Sequence, residues 1–123
     1  MTSSKTQKQE LGTKGEDIAY DYLKNKGYTI LRKNFRSGRN EIDIICKKNR
    51  FLVFVEVKTR TNLSFGMPEQ HLSKQQERNI INAAVNYMEF NKLDFLPLVR
   101  YDVISVILNN GEYSVRHFTD AFH

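Results

Sequence analysis

The sequence predicts a single α/β domain, one mixed sheet with helices packed on it, in the order αβββαββ. Three observations carry that prediction. Two stretches, residues 13–27 and 73–92, place apolar residues at helical spacing. Between them lie the neighbouring apolar runs IDII and FLVFVEV, and after the second come two strand-like runs around the tripeptide NNG. A chain of 123 residues with 40% hydrophobic and 11% aromatic residues is the size of one domain and can bury a core.

Taken in order, residues 1–11 are polar and aperiodic, which suggests a disordered or frayed start before a domain spanning 12–123. The first helix carries Ile18, Ala19, Tyr22 and Leu23 on one stripe, with Thr13 and Glu16 in capping-box spacing and Gly27 as its stop. YTILRKNF reads as a short strand and RSGRN as a loop turned at Gly38. Residues 41–47 and 51–58 are the central strands, the second apolar on both faces as an interior strand should be. TNLSFGMPEQHL is a loop marked by Gly66 and Pro68. The second helix has Ser73 and Gln76 in capping-box spacing and an expected inner face of Ile81, Ala84, Val85 and Met88. VRYDVISVIL and EYSVRHF form the final strand pair, with NNG as a hairpin turn signal.

Several classes are disfavoured. There is no apolar run long enough to cross a bilayer, and the N-terminal residues lack the apolar centre of a secretion signal, so a cytoplasmic protein with no membrane partner is expected. The one cysteine, Cys46, alternates with Ile42 and Ile44 and reads as a core residue. A net charge of +5 permits a polyanionic partner without establishing one. His71, His117 and His123 show no metal spacing, and no glycine-rich phosphate loop or zinc motif is present.

The oddity is charge inside the central strands. Asp43 interrupts the first, Glu56 the second, and Lys58 follows two residues on. Acidic residues are depleted in strands and costly to bury. A two-residue loop at Asn49-Arg50 sets Lys48 opposite Phe51, and counting back sets Asp43 opposite Glu56, with Glu41 opposite Lys58. Like charges directly opposed destabilise a sheet, an objection that a divalent cation removes. A solvated ladder of opposite charges through Glu41 and Lys58 is the competing structural reading. Arg36, Arg39, Arg60, Lys74 and Arg78 lie in the loops and helix start around these strands and are candidates for nucleic-acid phosphates, as is the helix start at Ser73.

The blocks GEDIAYDYL, NFRSGRNEIDII, FVEVKTR, FGMPEQHLSKQQERNIINAAVNYM and RYDVISV, in that order over residues 12–108, resemble the bacterial YraN-like family. Asp43, twelve residues and then Glu56-Val57-Lys58 match the signature of PD-(D/E)XK nucleases. The resemblance implies a restriction-endonuclease-like fold similar to archaeal Holliday junction resolvases. It also implies Asp43 and Glu56 as ligands of Mg²⁺ or Mn²⁺ with the Val57 carbonyl as a third, Lys58 as the catalytic lysine, and Glu16 as the acid completing the site. Asn40 stands where relatives commonly carry glycine, and Lys58 is kept where some carry arginine. The implied function is a metal-dependent endonuclease acting on DNA, branched or repair intermediates included, with a homodimer suggested by analogy to resolvases. The alternatives are a nucleic-acid-binding module with an idle site and a scaffold for protein partners.

Overall fold

The computed structural model describes residues 6–61, 72–93 and 97–123. The elements are α1 (Gln7–Asn25), β1 (Thr29–Ser37), β2 (Asn40–Lys48), β3 (Phe51–Arg60), α2 (Lys74–Phe90), β4 (Leu98–Asn109) and β5 (Glu112–Phe122), the order the sequence predicts. The strands form one sheet in the order β1-β2-β3-β4-β5, parallel between β3 and β4 and antiparallel elsewhere. No described helix is long and apolar enough to cross a membrane.

Each face of the sheet is covered by one helix. Ala19 and Leu23 of α1 pack on Ile44, Cys46, Val53, Val55, Ile104 and Val106. Ile80, Ala83, Ala84 and Tyr87 of α2 pack on Phe35, Ile42, Ile45, Leu52, Phe54 and Val103. The even and odd residues of β3 therefore feed different cores, which is why both of its faces are apolar. The NNG turn forms as read: Asn110 and Gly111 both take positive φ, +51° and +83°, as a two-residue type I′ hairpin requires. The capping box of Ser73 and Gln76 is also present.

Two expectations are corrected. α1 begins at Gln7, so residues 7–11 are helical rather than frayed, and its capping box is Thr6 with Gln9, not Thr13 with Glu16. Polarity hid this turn because Gln7, Gln9 and Glu10 are exposed and add nothing to an apolar stripe. The inner face of α2 keeps Ala84 as predicted but is centred on Ile80, Ala83 and Tyr87; Ile81 and Met88 pack on the core only in part, and Val85 is 42% exposed. Two apolar stripes lie side by side on this helix, and Tyr87, edge-on to Phe35 and Phe54, selects between them. The predicted loop at 61–72, with Gly66, Pro68 and His71, falls largely outside the described residues.

α1 meets β3 closely at Gly15, where an added Cβ would run into the Thr59 side chain. Glycine inside a helix costs about 0.5–1 kcal/mol relative to alanine, so this one has a packing reason. Gly12, one turn earlier, has nothing within 4 Å of such a Cβ. Opposite responses are expected in thermal melts. Gly12→Ala raises the melting temperature, and Gly15→Ala lowers it because an overpacked contact costs about 1–3 kcal/mol. Gly15→Ala also shifts the neighbouring Glu16.

Candidate active site

The β2–β3 register is the one the two-residue loop implies, running from Lys48↔Phe51 to Ile44↔Val55, with Asn49 in the left-handed region at φ +55°. The ladder ends there. One step further, Asp43 and Glu56 stand across from each other, and their side chains share a hydrogen bond. The Val57 N–H donates to Asp43 Oδ2 at 2.7 Å, so past the ladder a side chain takes over from the β2 backbone as acceptor.

The strands also change face at this point. Lys33 and Ile44 are paired and lie on the α1 side, where Lys33 reaches Asp17 at 3.6 Å and the Tyr20 ring at 4.4 Å. The next pair, Phe35 and Ile42, lies in the core under α2. Residues two apart normally share a face. Asn34, between Lys33 and Phe35, reverses this by taking φ +51°, and Asp43 sits opposite it. A left-handed non-glycine residue inside a strand costs of order 1–3 kcal/mol and is retained where the surroundings hold it. Here the Asn34 carboxamide is held between two acids, donating to Glu16 Oε1 at 2.8 Å and Glu41 Oε1 at 3.1 Å in the orientation that satisfies both its ends.

Four carboxyl groups thus converge from α1, β2 and β3. Burial, the hydrogen bond to Glu56 and the repulsion of Glu56 push Asp43 up to about 9, against the opposing pull of the Val57 N–H. Burial also raises Glu56, while Asp43 and the Lys58 ammonium pull it down. A hydrogen bond between two carboxyl groups needs a proton on one of them, and the upward shift of both favours keeping it. Glu16 is pushed up to about 7 by burial and by Asp43 and Glu41, with Lys33 opposing. Glu16 lies well inside α1 and borders an open groove with Gln9, Gly12 and Thr13, so it does not cap the helix.

The structure brings Glu16, Asp43 and Glu56 together as electrostatic neighbours, with the Lys58 ammonium acting on Glu56. The basic candidates are spread more widely. Arg36 pairs with Glu41 at 3.6 Å across β1 and β2, an exposed cross-strand pair, and Glu41 is at the same time an electrostatic neighbour of Asp43. Arg39 is exposed in the β1–β2 turn, and Arg60 ends β3 two residues beyond Lys58. Lys74 and Arg78 contact their own helix, through Glu77 at 3.5 Å and Gln75 at 3.0 Å. Asn34 was not legible as a site residue, since its asparagine sits in an ordinary strand pattern. Its left-handed backbone is a tertiary outcome.

A second polar cluster, also unforeseen, is structural. Asp102 is fully buried; Arg100 donates to it twice, at 2.9 and 2.8 Å, and His117 Nε2 lies 2.7 Å away. Burial alone would raise its carboxyl, but these partners and the Asp120 N–H more than offset that and hold it below the usual range. Arg100 also donates to the Tyr28 hydroxyl, and His117 Nδ1 meets that of Tyr22, so the network ties β4 and β5 to α1 and the residue before β1.

The donor set suits a hard divalent cation: two half-buried carboxyl groups face each other at a strand separation, with a third acid beside them. Among the described residues no three of His, Cys, Asp and Glu are placed to hold a metal ion by themselves. A two-carboxylate arrangement is what Mg²⁺ needs when water and substrate oxygens complete its shell.

The model of the family described as "Uncharacterised protein family UPF0102" matches residues 15–106. A UPF0102 protein of Syntrophomonas wolfei is 39% identical over 114 residues, covering 93% of this chain and 98% of that one. One from Chloroherpeton thalassium is 45% identical over 101 residues, covering 82% and 78%. Among solved structures, Hjc of Archaeoglobus fulgidus, a Holliday junction resolvase, is similar at 17% identity and a TM-score of 0.47, covering 87% of this chain and 75% of its own. On the family match and these identities, the chain belongs to the UPF0102 family.

Proposed function

We propose that the protein is a Mg²⁺- or Mn²⁺-dependent DNA endonuclease that hydrolyses phosphodiester bonds, with branched or repair DNA as its substrate class. The observation that carries this reading is the hydrogen-bonded carboxyl pair Asp43 and Glu56 where the β2–β3 ladder ends, with the Val57 N–H on Asp43 and with Glu16 and Lys58 beside Glu56. A sheet that needed only stability would place apolar residues there.

Asp43 and Glu56 would hold the cation, with the Val57 carbonyl alongside. When bound, it would acidify a water and neutralise charge on the phosphodiester. Lys58, whose charge already acts on Glu56, would place an ammonium where the phosphoryl oxygens gain charge. Glu16, held near neutral pH between its two protonation states, is suited to accept a proton from the attacking water. Arg36, Arg39, Arg60, Lys74 and Arg78 would follow the phosphate backbone, giving an affinity that falls steeply with salt.

The test is a cleavage screen over linear, flapped and four-way DNA with Mg²⁺, with Mn²⁺ and with chelator. Metal-dependent cleavage of branched substrates is expected. DNA binding without cleavage of any substrate would leave a binding module with an idle site.

A further inference from the structure

We propose that the groove between the β1–β2 hairpin and the end of α2 binds an unpaired nucleotide, its base stacked on Phe90 and its phosphate held by Arg32 and Arg36. The inference rests on the reading of the protein as a DNA-acting one and deepens it, because it names the feature of the substrate that is recognised.

Phe90, the last residue of α2, is 85% exposed. A lone exposed apolar residue is ordinary, so its surroundings carry the argument. The groove beside it, about 530 Å³, is lined by Arg32, Arg36, Ser37 and Gly38 and floored by the buried Phe35, and among the described residues no carboxylate lines it. That volume falls in the range of small-ligand sites. Arg32 is held over the Phe35 ring at 5.4 Å, and Gly38, with nothing near its absent Cβ, leaves the rim open. Asn86 donates to Ser37 Oγ at 2.7 Å, which fastens α2 to the hairpin and fixes the two walls relative to each other.

An aromatic ring beside two guanidinium groups is the chemistry that holds single-stranded nucleic acid, where bases stack and arginines take phosphates. A base inside a duplex has both faces covered by its neighbours, so Phe90 can receive only an unpaired one. The location suits the proposed reaction. Arg36 reaches Glu41 at 3.6 Å, and Glu41 is an electrostatic neighbour of Glu16 and Asp43. A nucleotide in the groove therefore lies on the same hairpin as the carboxylates.

The chain contains no tryptophan, so Phe90→Trp supplies a single fluorophore at the proposed stacking position. Oligothymidylate titrated into the full-length Phe90→Trp protein should quench its emission saturably. Phe90→Ala should weaken oligothymidylate binding about tenfold or more and lower the preference for flapped over fully paired DNA. Val85→Ala, which trims an exposed apolar residue of the same helix, should change neither. Unchanged oligothymidylate affinity in Phe90→Ala, with duplex binding intact, would overturn the stacking site and leave the DNA-acting reading standing. Absence of all DNA binding by the wild type would overturn both. A change in self-association on sedimentation of Phe90→Ala, without a change in oligothymidylate affinity, would assign the face to protein contact and overturn the proposal.

Discussion

Glu56→Gln and Lys58→Ala each reduce cleavage of branched DNA by about a hundredfold or more in single-turnover assays while leaving DNA affinity nearly unchanged. The two act differently. Glutamine keeps the shape of Glu56 and one acceptor oxygen, and its amide can still donate to Asp43, but it removes the charge a hard cation requires. Alanine at 58 removes the ammonium whose charge now lowers the proton affinity of Glu56. Lys58→Ala should therefore bind Mn²⁺ more weakly than wild type only to the extent that Glu56 keeps its proton longer, whereas Glu56→Gln should lose cation binding outright. A variant of either kind that still cuts at the wild-type rate would remove that residue from the chemistry.

Metal-free stability should fall as pH rises from weakly acidic to weakly basic. Asp43 goes from an ordinary 3.8 up to about 9 in the folded chain, and Glu16 from 4.5 to about 7. Between those limits the folded state holds protons that the unfolded chain has released, so raising the pH favours unfolding. The stabilisation is complete below the unfolded values and is lost progressively as pH rises to the folded ones. In a domain of this size each kcal/mol is worth about 4 °C or more, so the fall in melting temperature from about pH 5 to about pH 9 should be readily measured. Asp43→Asn should flatten the profile by removing the most strongly shifted acid. Saturating Mg²⁺ should flatten it as well, because a ligand bound only by the folded state stabilises it more as its competing proton leaves. An identical slope in wild type and Asp43→Asn would show that the pair is not the source.

How much of this was legible follows from which interactions are local. The Asn49-Arg50 loop fixes the β2–β3 register, so the meeting of Asp43 and Glu56 could be counted from the sequence. The Asn110-Gly111 turn and the Ser73 cap depend on neighbouring residues and were equally readable. The face change at Asn34 was not readable, because strict alternation is the rule it breaks and the acids that hold its carboxamide come from a helix and another strand. Glu16 could be read as a cap from spacing and as a site residue from the family resemblance; the helix start at Thr6 removes the first possibility. The Asp102 network was invisible for a similar reason. Its partners Arg100, His117 and the Asp120 N–H are spread over two strands, and the tyrosines behind them lie in the first third of the chain.

The central claim is that the proton shared by Asp43 and Glu56 occupies the place of a divalent cation. Calorimetric titration of Mn²⁺ into the wild-type protein at neutral pH, run in two buffers of different ionisation enthalpy, counts the protons displaced. The account predicts a single Mn²⁺ site that releases on the order of one proton per ion, and predicts that Asp43→Asn and Glu56→Gln abolish both the binding and the release. Mn²⁺ binding with no proton release, or no binding by the wild type, would contradict it.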